Sequence, residues 1–182
     1  MTELDRAVWL LRATPTHEHR DEHTLRRWAR IALDFGRELA TTAQPLEIPV
    51  HRVEGGHHPD ELVLAEYRPN RPRILLYTDT LTAVQDILRA QGSHEMFPPE
   101  LVEAAAIAHE QAHHRLHGPA GRELRHRLDH TALTLGRIRL RGHVLGADEV
   151  AAHSYARHVL GGRHCPLRLT QTLSRHLAAT RS

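Results

Sequence analysis

Residues 109–113 read His109-Glu110-Gln111-Ala112-His113, set behind the alanine-rich run 101–108. No other feature constrains the fold as much. The run has strong helix propensity, so the two histidines fall four apart on one helical face. At 1.5 Å rise per residue they stand about 6 Å apart along the axis. Two imidazoles so placed can close on one Zn²⁺ at roughly 2.0–2.1 Å. Glu110 points aside from the metal but stays near enough to take a proton from water held there. A helix carrying such a face must be built inward, against a partner that completes the ligand set.

The string alone is weak evidence. With 18 His in 182 residues, composition produces roughly 0.13 matches to His-Glu-x-x-His by chance. Two other His-Glu pairs, His17-Glu18 and His94-Glu95, do not complete it. A second signal lies downstream, in residues 147–160. Gly146 followed by Asp148 and Glu149 marks a helix start, and Gly161-Gly162 marks its stop. Ala151, Ala152, Tyr155, Ala156 and Val159 share one packed face, with Glu149 at its edge in the first turn. A carboxylate beside small residues can lie against another helix, as a third ligand requires. Read blandly, it is a first-turn acid complementing the helix dipole.

The five residues 109–113 together with Glu149-x-x-Ala152-x-x-Tyr155-Ala156 resemble the ImmA/IrrE-type metallopeptidases, compact gluzincin-like proteins. His114, Leu116 and His117 also fit the ending of the first motif in that family. The resemblance covers roughly residues 45–162. It implies His109 and His113 as zinc ligands, Glu110 as catalytic base and Glu149 as third ligand. The chain departs from the family at the position four after Glu149. Asp or Asn is common there and can orient a ligating histidine; here it is His153. An imidazole can still accept or donate one hydrogen bond, ligate the metal, or steady an oxyanion. His153 is therefore a candidate catalytic residue, with Tyr155 and His143 as further oxyanion candidates, Tyr155 also reading as a core aromatic. Asp148 reads as a helix-start acid or as a partner to a ligand histidine.

Other histidines compete. His109, His113 and His117 form an i, i+4, i+8 row, but the outer two stand about 12 Å apart along a straight helix and cannot share an ion. The metzincin spacing places a third histidine at 119, which is Pro119. His126 and His130 remain rivals to Glu149, in the manner of SprT-like proteases.

Composition bounds the partners. All 24 cations are Arg, net charge is only +2, and acids interleave with bases. The densest basic run, Arg137-Ile138-Arg139-Leu140-Arg141, has few aromatics beside it, so no nucleic-acid partner is expected. No apolar run approaches 18 residues, so no membrane span is expected. The N-terminus lacks a cationic leader, and the single Cys165 fits a reducing compartment; the expected location is cytoplasmic. No feature specifies an oligomeric state.

The 182 residues suit a single domain, with N-terminal helices over 1–44, a zinc-site core over 45–162 and a C-terminal helix over 163–182. Apolar spacing predicts helices over 3–13, 21–41, 80–90, 121–135, 147–160 and 166–179, besides the one bearing the first motif. Alternating segments at 46–53, 61–67 and 73–78 predict strands, with turns at Gly55-Gly56-His57-His58-Pro59 and at 68–72. The expected class is α+β: N-terminal helices, a small, mostly antiparallel three-stranded sheet, the motif helix, then the helix bearing Glu149, as the gluzincin-like resemblance implies. In that arrangement a strand borders the cleft and can hold an extended peptide by main-chain pairing; segment 73–78 is the candidate.

The function expected is that of an intracellular zinc metallopeptidase acting on a protein or peptide substrate. Family members cut or antagonise DNA-binding repressors, which makes a repressor the implied substrate. The alternative is a metal-binding regulatory protein that keeps the site without turnover.

Overall fold

A computed structural model describes residues 1–15, 17, 19–42, 44, 46–58, 61–135, 138–141 and 143–180. Glu18, Pro59 and Arg137, which enter the pair, turn and charge readings above, lie outside the described residues. The fold is α+β. Two helices come first, α1 (Glu3–Ala13) and α2 (Glu22–Thr42). Short strands follow: β1 (Val50–Val53), β2 (His57–His58), β3 (Glu61–Leu62), β4 (Ala65–Arg68) and β5 (Arg73–Tyr77). Then come α3 (Thr78–Ala90), α4 (Pro99–Leu116), α5 (Pro119–Leu128), the hairpin β6 (Thr131–Leu135) and β7 (Ile138–Arg141), α6 (Ala147–Val159) and α7 (Pro166–Thr180).

The main sheet runs β1-β5-β4, with β4 antiparallel and β1 parallel to β5. β5 is thus the central strand, paired on both sides, and the edge facing α4 belongs to β4. The expectation that 73–78 borders the cleft is corrected: its backbone groups are spent on its two neighbours. The strand predicted over 61–67 is two pieces, the first turned into the β2–β3 ribbon. That ribbon is anchored by Asp79 at the start of α3, whose carboxylate accepts from the backbone N–H of Gly55 (3.0 Å) and His57 (3.3 Å).

The helix predicted over 121–135 stops at Leu128. Asp129 adopts a left-handed conformation (φ 43°, ψ 44°), and a hairpin follows. Leu124 and Leu128 keep helical spacing, but beyond them Ile138-Arg139-Leu140-Arg141 alternates with a period of two, which suits a strand. At the other end of α5, a Cβ on Gly121 would stand 1.9 Å from the Leu116 carbonyl, so only glycine permits the tight α4–α5 corner.

α4 begins with Pro99 in its first turn and Glu100 beside it, and its last turn carries Arg115 after His113 and His114, so an acid at the start and a guanidinium at the end complement the helix dipole. Its buried face is Val102, Ala105, Ala106, Ala108, Ala112 and Leu116. α6 starts from Gly146 in the left-handed region (φ 79°). It buries Val150, Ala151, Ala152, Ser154, Tyr155 and Ala156. The small residues let its neighbours approach closely. A Cβ on Gly36 of α2 would lie 2.2 Å from the Ala151 carbonyl, and Ser154 donates to the Leu33 carbonyl at 2.7 Å. The largest apolar cluster joins α1, α2, α5 and α6 around Leu11, Leu25, Trp28 and Val150. A second joins α3, α4 and α7 through Val84, Leu88, Val102, Leu169 and Leu173. α6 is thereby fixed from behind by α2, and α4 by α3 and the sheet, leaving the faces that bear histidine turned toward each other. No helix among the described residues is long and apolar enough to cross a membrane.

Candidate metal centre

Three side chains meet between α4 and α6. His109 Nε2 lies 3.0 Å from His113 Nε2 and 3.2 Å from Glu149 Oε2, and His113 Nε2 lies 3.2 Å from Glu149 Oε1. Tetrahedral zinc at about 2.0–2.1 Å from each ligand separates the ligand atoms by roughly 3.3 Å, so this triangle has the dimensions of a zinc ligand set. Two imidazole nitrogens and a carboxylate are also the donor types that zinc takes. His109 and His113 keep 14% and 19% of their side-chain surface, Glu149 45%, so the triangle is backed by protein and open on the Glu149 side.

The electrostatics follow from that convergence. Burial by itself raises the Glu149 carboxyl, but hydrogen bonds with His109 and His113 outweigh it and hold the group far below the usual carboxylate range. Burial lowers His113, yet the Glu149 carboxylate facing it carries it above the ordinary histidine value. Burial raises Glu110, with His109 and His113 offsetting part of the rise. His153 is drawn down to about 3, by burial first and then by the neighbouring His109.

Glu110 lies beside the triangle. Its Oε2 accepts from the backbone N–H of Tyr67 on β4 at 2.7 Å. The sequence carries no mark of this partner, because the donor is a main-chain group brought near by sheet order. Tyr67 also reaches His114, with 2.6 Å from its hydroxyl to Nδ1. His153 sits one turn beyond Glu149, its ring centroid 4.5 Å from that of His109. Thr170 of α7, absent from the sequence reading, lies 3.4 Å from His153 Nε2. Groups able to hold a metal among the described residues are His109 with Glu149 and His153, His109 with Glu110 and His113, and His113 with Asp148 and Glu149. All three overlap at one place.

The rival residues lie elsewhere. His126 is exposed on α5, and the His130 ring packs edge-on against Trp28 at 5.1 Å. Neither joins the ligand groups, so Glu149 is the residue that completes the triangle. His117 turns to the Tyr67 ring at 5.7 Å. His143 lines a separate pocket of about 160 Å³ behind His113, with His117, Arg125 and Asp148. Tyr155 is buried, and its hydroxyl accepts from Arg115 Nε at 3.2 Å; it is the core aromatic of the two readings above and does not line the cleft. His57 and His58 are exposed on β2.

The triangle opens onto a cleft of about 520 Å³. One wall is β3, β4 and their connection, with Leu62, Leu64 and Ala65; the opposite wall is Pro166, Leu169 and Leu173 of α7; Ala105 and Ala106 line it one turn before His109. Comparison with family models, curated proteins and solved structures returns no match to this chain, so its residues and their geometry carry the assignment of the site.

Proposed function

We propose that this chain is an intracellular zinc metallopeptidase that hydrolyses a peptide bond in a protein substrate. The observation that carries the reading is the 3.0–3.2 Å triangle of His109, His113 and Glu149, with the Glu110 carboxylate beside it. His109, His113 and Glu149 would hold the ion, and zinc so held supplies a Lewis acid and water of pKa near 7. Glu110, raised by burial, takes a proton from the attacking water and returns it to the leaving amine. Its hydrogen bond to Tyr67 aims the carboxylate while leaving the second oxygen for the reaction.

The cleft suits an extended peptide. Tyr67 turns its N–H away from β5, and Ala65, two residues earlier on β4, presents its backbone groups on the same side. A substrate strand added there runs past Glu110, with an apolar side chain between Leu64, Val102, Leu169 and Leu173. The gluzincin-like, ImmA/IrrE-type reading rests on the same residues and makes a DNA-binding repressor the candidate substrate.

Elemental analysis combined with a cleavage assay on a mixed peptide library tests the proposal. The expected result is one zinc per chain in both wild type and Glu110→Gln, with cleavage by wild type alone. Zinc retention without cleavage by wild type assigns the chain to metal-dependent regulation instead, and lack of stoichiometric zinc after reconstitution overturns the reading.

A further inference from the structure

Two buried nitrogens at the α4–α6 junction have no hydrogen-bond partner: Nδ1 of His109 and Nδ1 of His153. Orphaned buried polar atoms are rare, and two side by side call for an explanation. Hydrogen accounting supplies one. His109 turns Nε2 toward His113 and Glu149, so a metal held there takes the Nε2 lone pair and leaves the ring hydrogen on Nδ1. That N–H needs an acceptor.

The acceptor is set from α7. Thr170 Oγ1 lies 3.3 Å from the Pro166 carbonyl oxygen and 3.4 Å from His153 Nε2. A carbonyl can only accept, so the hydroxyl hydrogen goes to Pro166. Oγ1 is then left to accept from His153 Nε2–H. With its hydrogen on Nε2, the His153 ring keeps a bare lone pair on Nδ1. Its centroid is 4.5 Å from that of His109, with the planes tilted by 51°.

We propose that His153 is a positioning residue whose tautomer is fixed by Thr170, so that its Nδ1 accepts from His109 Nδ1–H once a transition metal is held. This inference rests on the metal-centre reading above and gives His153 a role distinct from contact with substrate. It also makes α7 part of the site, through the sequence Pro166 carbonyl, Thr170 hydroxyl, His153 ring, His109 ring. The acceptor is neutral, so it orients His109 without the added basicity that a carboxylate partner gives a ligand histidine.

Zinc Kd values from chelator competition on the full chain, together with long-range ¹H–¹⁵N spectra of the histidine rings, test the proposal. His153→Leu is expected to weaken zinc about 10- to 100-fold, the range for lost outer partners of a ligand. His153→Asp, a stronger acceptor of similar reach, is expected to bind zinc at least as tightly as wild type, an outcome that a purely structural imidazole does not give. Thr170→Val, which keeps the shape, is expected to weaken zinc by less than His153→Leu. In wild-type spectra His153 carries its hydrogen on Nε2 in the metal-free chain, and zinc places the hydrogen of His109 on Nδ1. A His153 hydrogen on Nδ1, unchanged zinc affinity in His153→Leu, or no recovery in His153→Asp overturns the proposal. A wild-type chain that takes up no zinc overturns the peptidase reading instead, and the His153 tautomer is read independently of it.

Discussion

Two groups of histidines in this molecule, one around Trp28 and one around Glu149, have opposite consequences. At the first, His17 and His130 flank Trp28, with ring centroids 5.5 and 5.1 Å away, and Arg20 lies 5.9 Å over the indole. His17 is 4% exposed and spends Nδ1 on the Leu11 carbonyl, 3.1 Å away. Among the described residues no carboxylate joins these rings in a ligand group. At the second, His109, His113 and His153 surround Glu149, and ring nitrogens of His109 and His113 face one another across 3.0 Å. The first arrangement uses imidazole as a packing plate that ties chain segments together. The second turns ring nitrogens of His109 and His113 onto one carboxylate, Glu149. Richness in histidine does not separate the two; a carboxylate at the meeting point and an open side do.

The sharpest way to break this contrast is to remove one ligand. His113→Ala is expected to lose stoichiometric zinc, weakening it by more than the roughly 100-fold upper range for an outer partner, whereas His130→Ala keeps one zinc per chain; elemental analysis reads both. Next, Glu110→Gln is expected to lower kcat by about 10²–10⁴ with zinc uptake unchanged, because it removes proton transfer and no ligand. Equal turnover in the two proteins would remove Glu110 from the reaction. Third, Trp28→Ala at the packing cluster is expected to cost about 3–5 kcal/mol of stability in denaturant melts, since the indole is 2% exposed, while the remaining folded protein binds zinc as before. Fourth, saturating zinc at about 100 times its Kd is expected to stabilise wild type by about 2.7 kcal/mol and His113→Ala not at all.

The smallest expected effect is a difference in sign with pH in the metal-free protein. His113 stands above the ordinary histidine value, raised by Glu149 against burial. Its stabilising contribution is present below that ordinary value and is lost as pH rises through the folded one. His130 stands below the ordinary value because of burial and then Arg20, His17 and Arg27. Its neutral form is the one the fold accommodates, so stability is lost as pH falls through the ordinary histidine range. Melts from about pH 5 to 8, comparing His113→Gln and His130→Gln with wild type, are expected to show slopes of opposite sign; slopes of the same sign would dissolve the contrast. Zinc affinity itself is expected to rise with pH over this range, as the metal competes with the His113 proton.

Much of the site was legible because helix geometry is local. The spacing of His109 and His113, and the small-residue face around Glu149, follow from periods within single helices. So do α1, α2, α3 and α7, whose observed bounds lie within about two residues of the expected ones. What was not legible depends on order in space. Position in the chain points to 73–78 as the cleft edge, but edge status depends on which strands pair: β1 and β4 flank β5, and β4 is the edge strand on the cleft side. Over 121–135 the helical apolar spacing of Leu124 and Leu128 ends at Asp129, and the residues that follow pair as a hairpin whose second strand alternates with a period of two. Tyr67 was missed as a partner of Glu110 because a main-chain donor leaves no trace in residue type. Thr170 was missed because its role depends on α7 crossing beside α6.

The sequence by itself determined the donor types, their spacing on each helix and the small residues that allow close helix approach, since these are properties of single turns and side-chain volumes. Only the tertiary structure chose Glu149 over His126 and His130, separated Tyr155 from the cleft, and set β4 and α7 as its walls. Those outcomes depend on contacts between segments far apart in the chain, where packing of α4 against α6, rather than local spacing, decides which lone pairs converge.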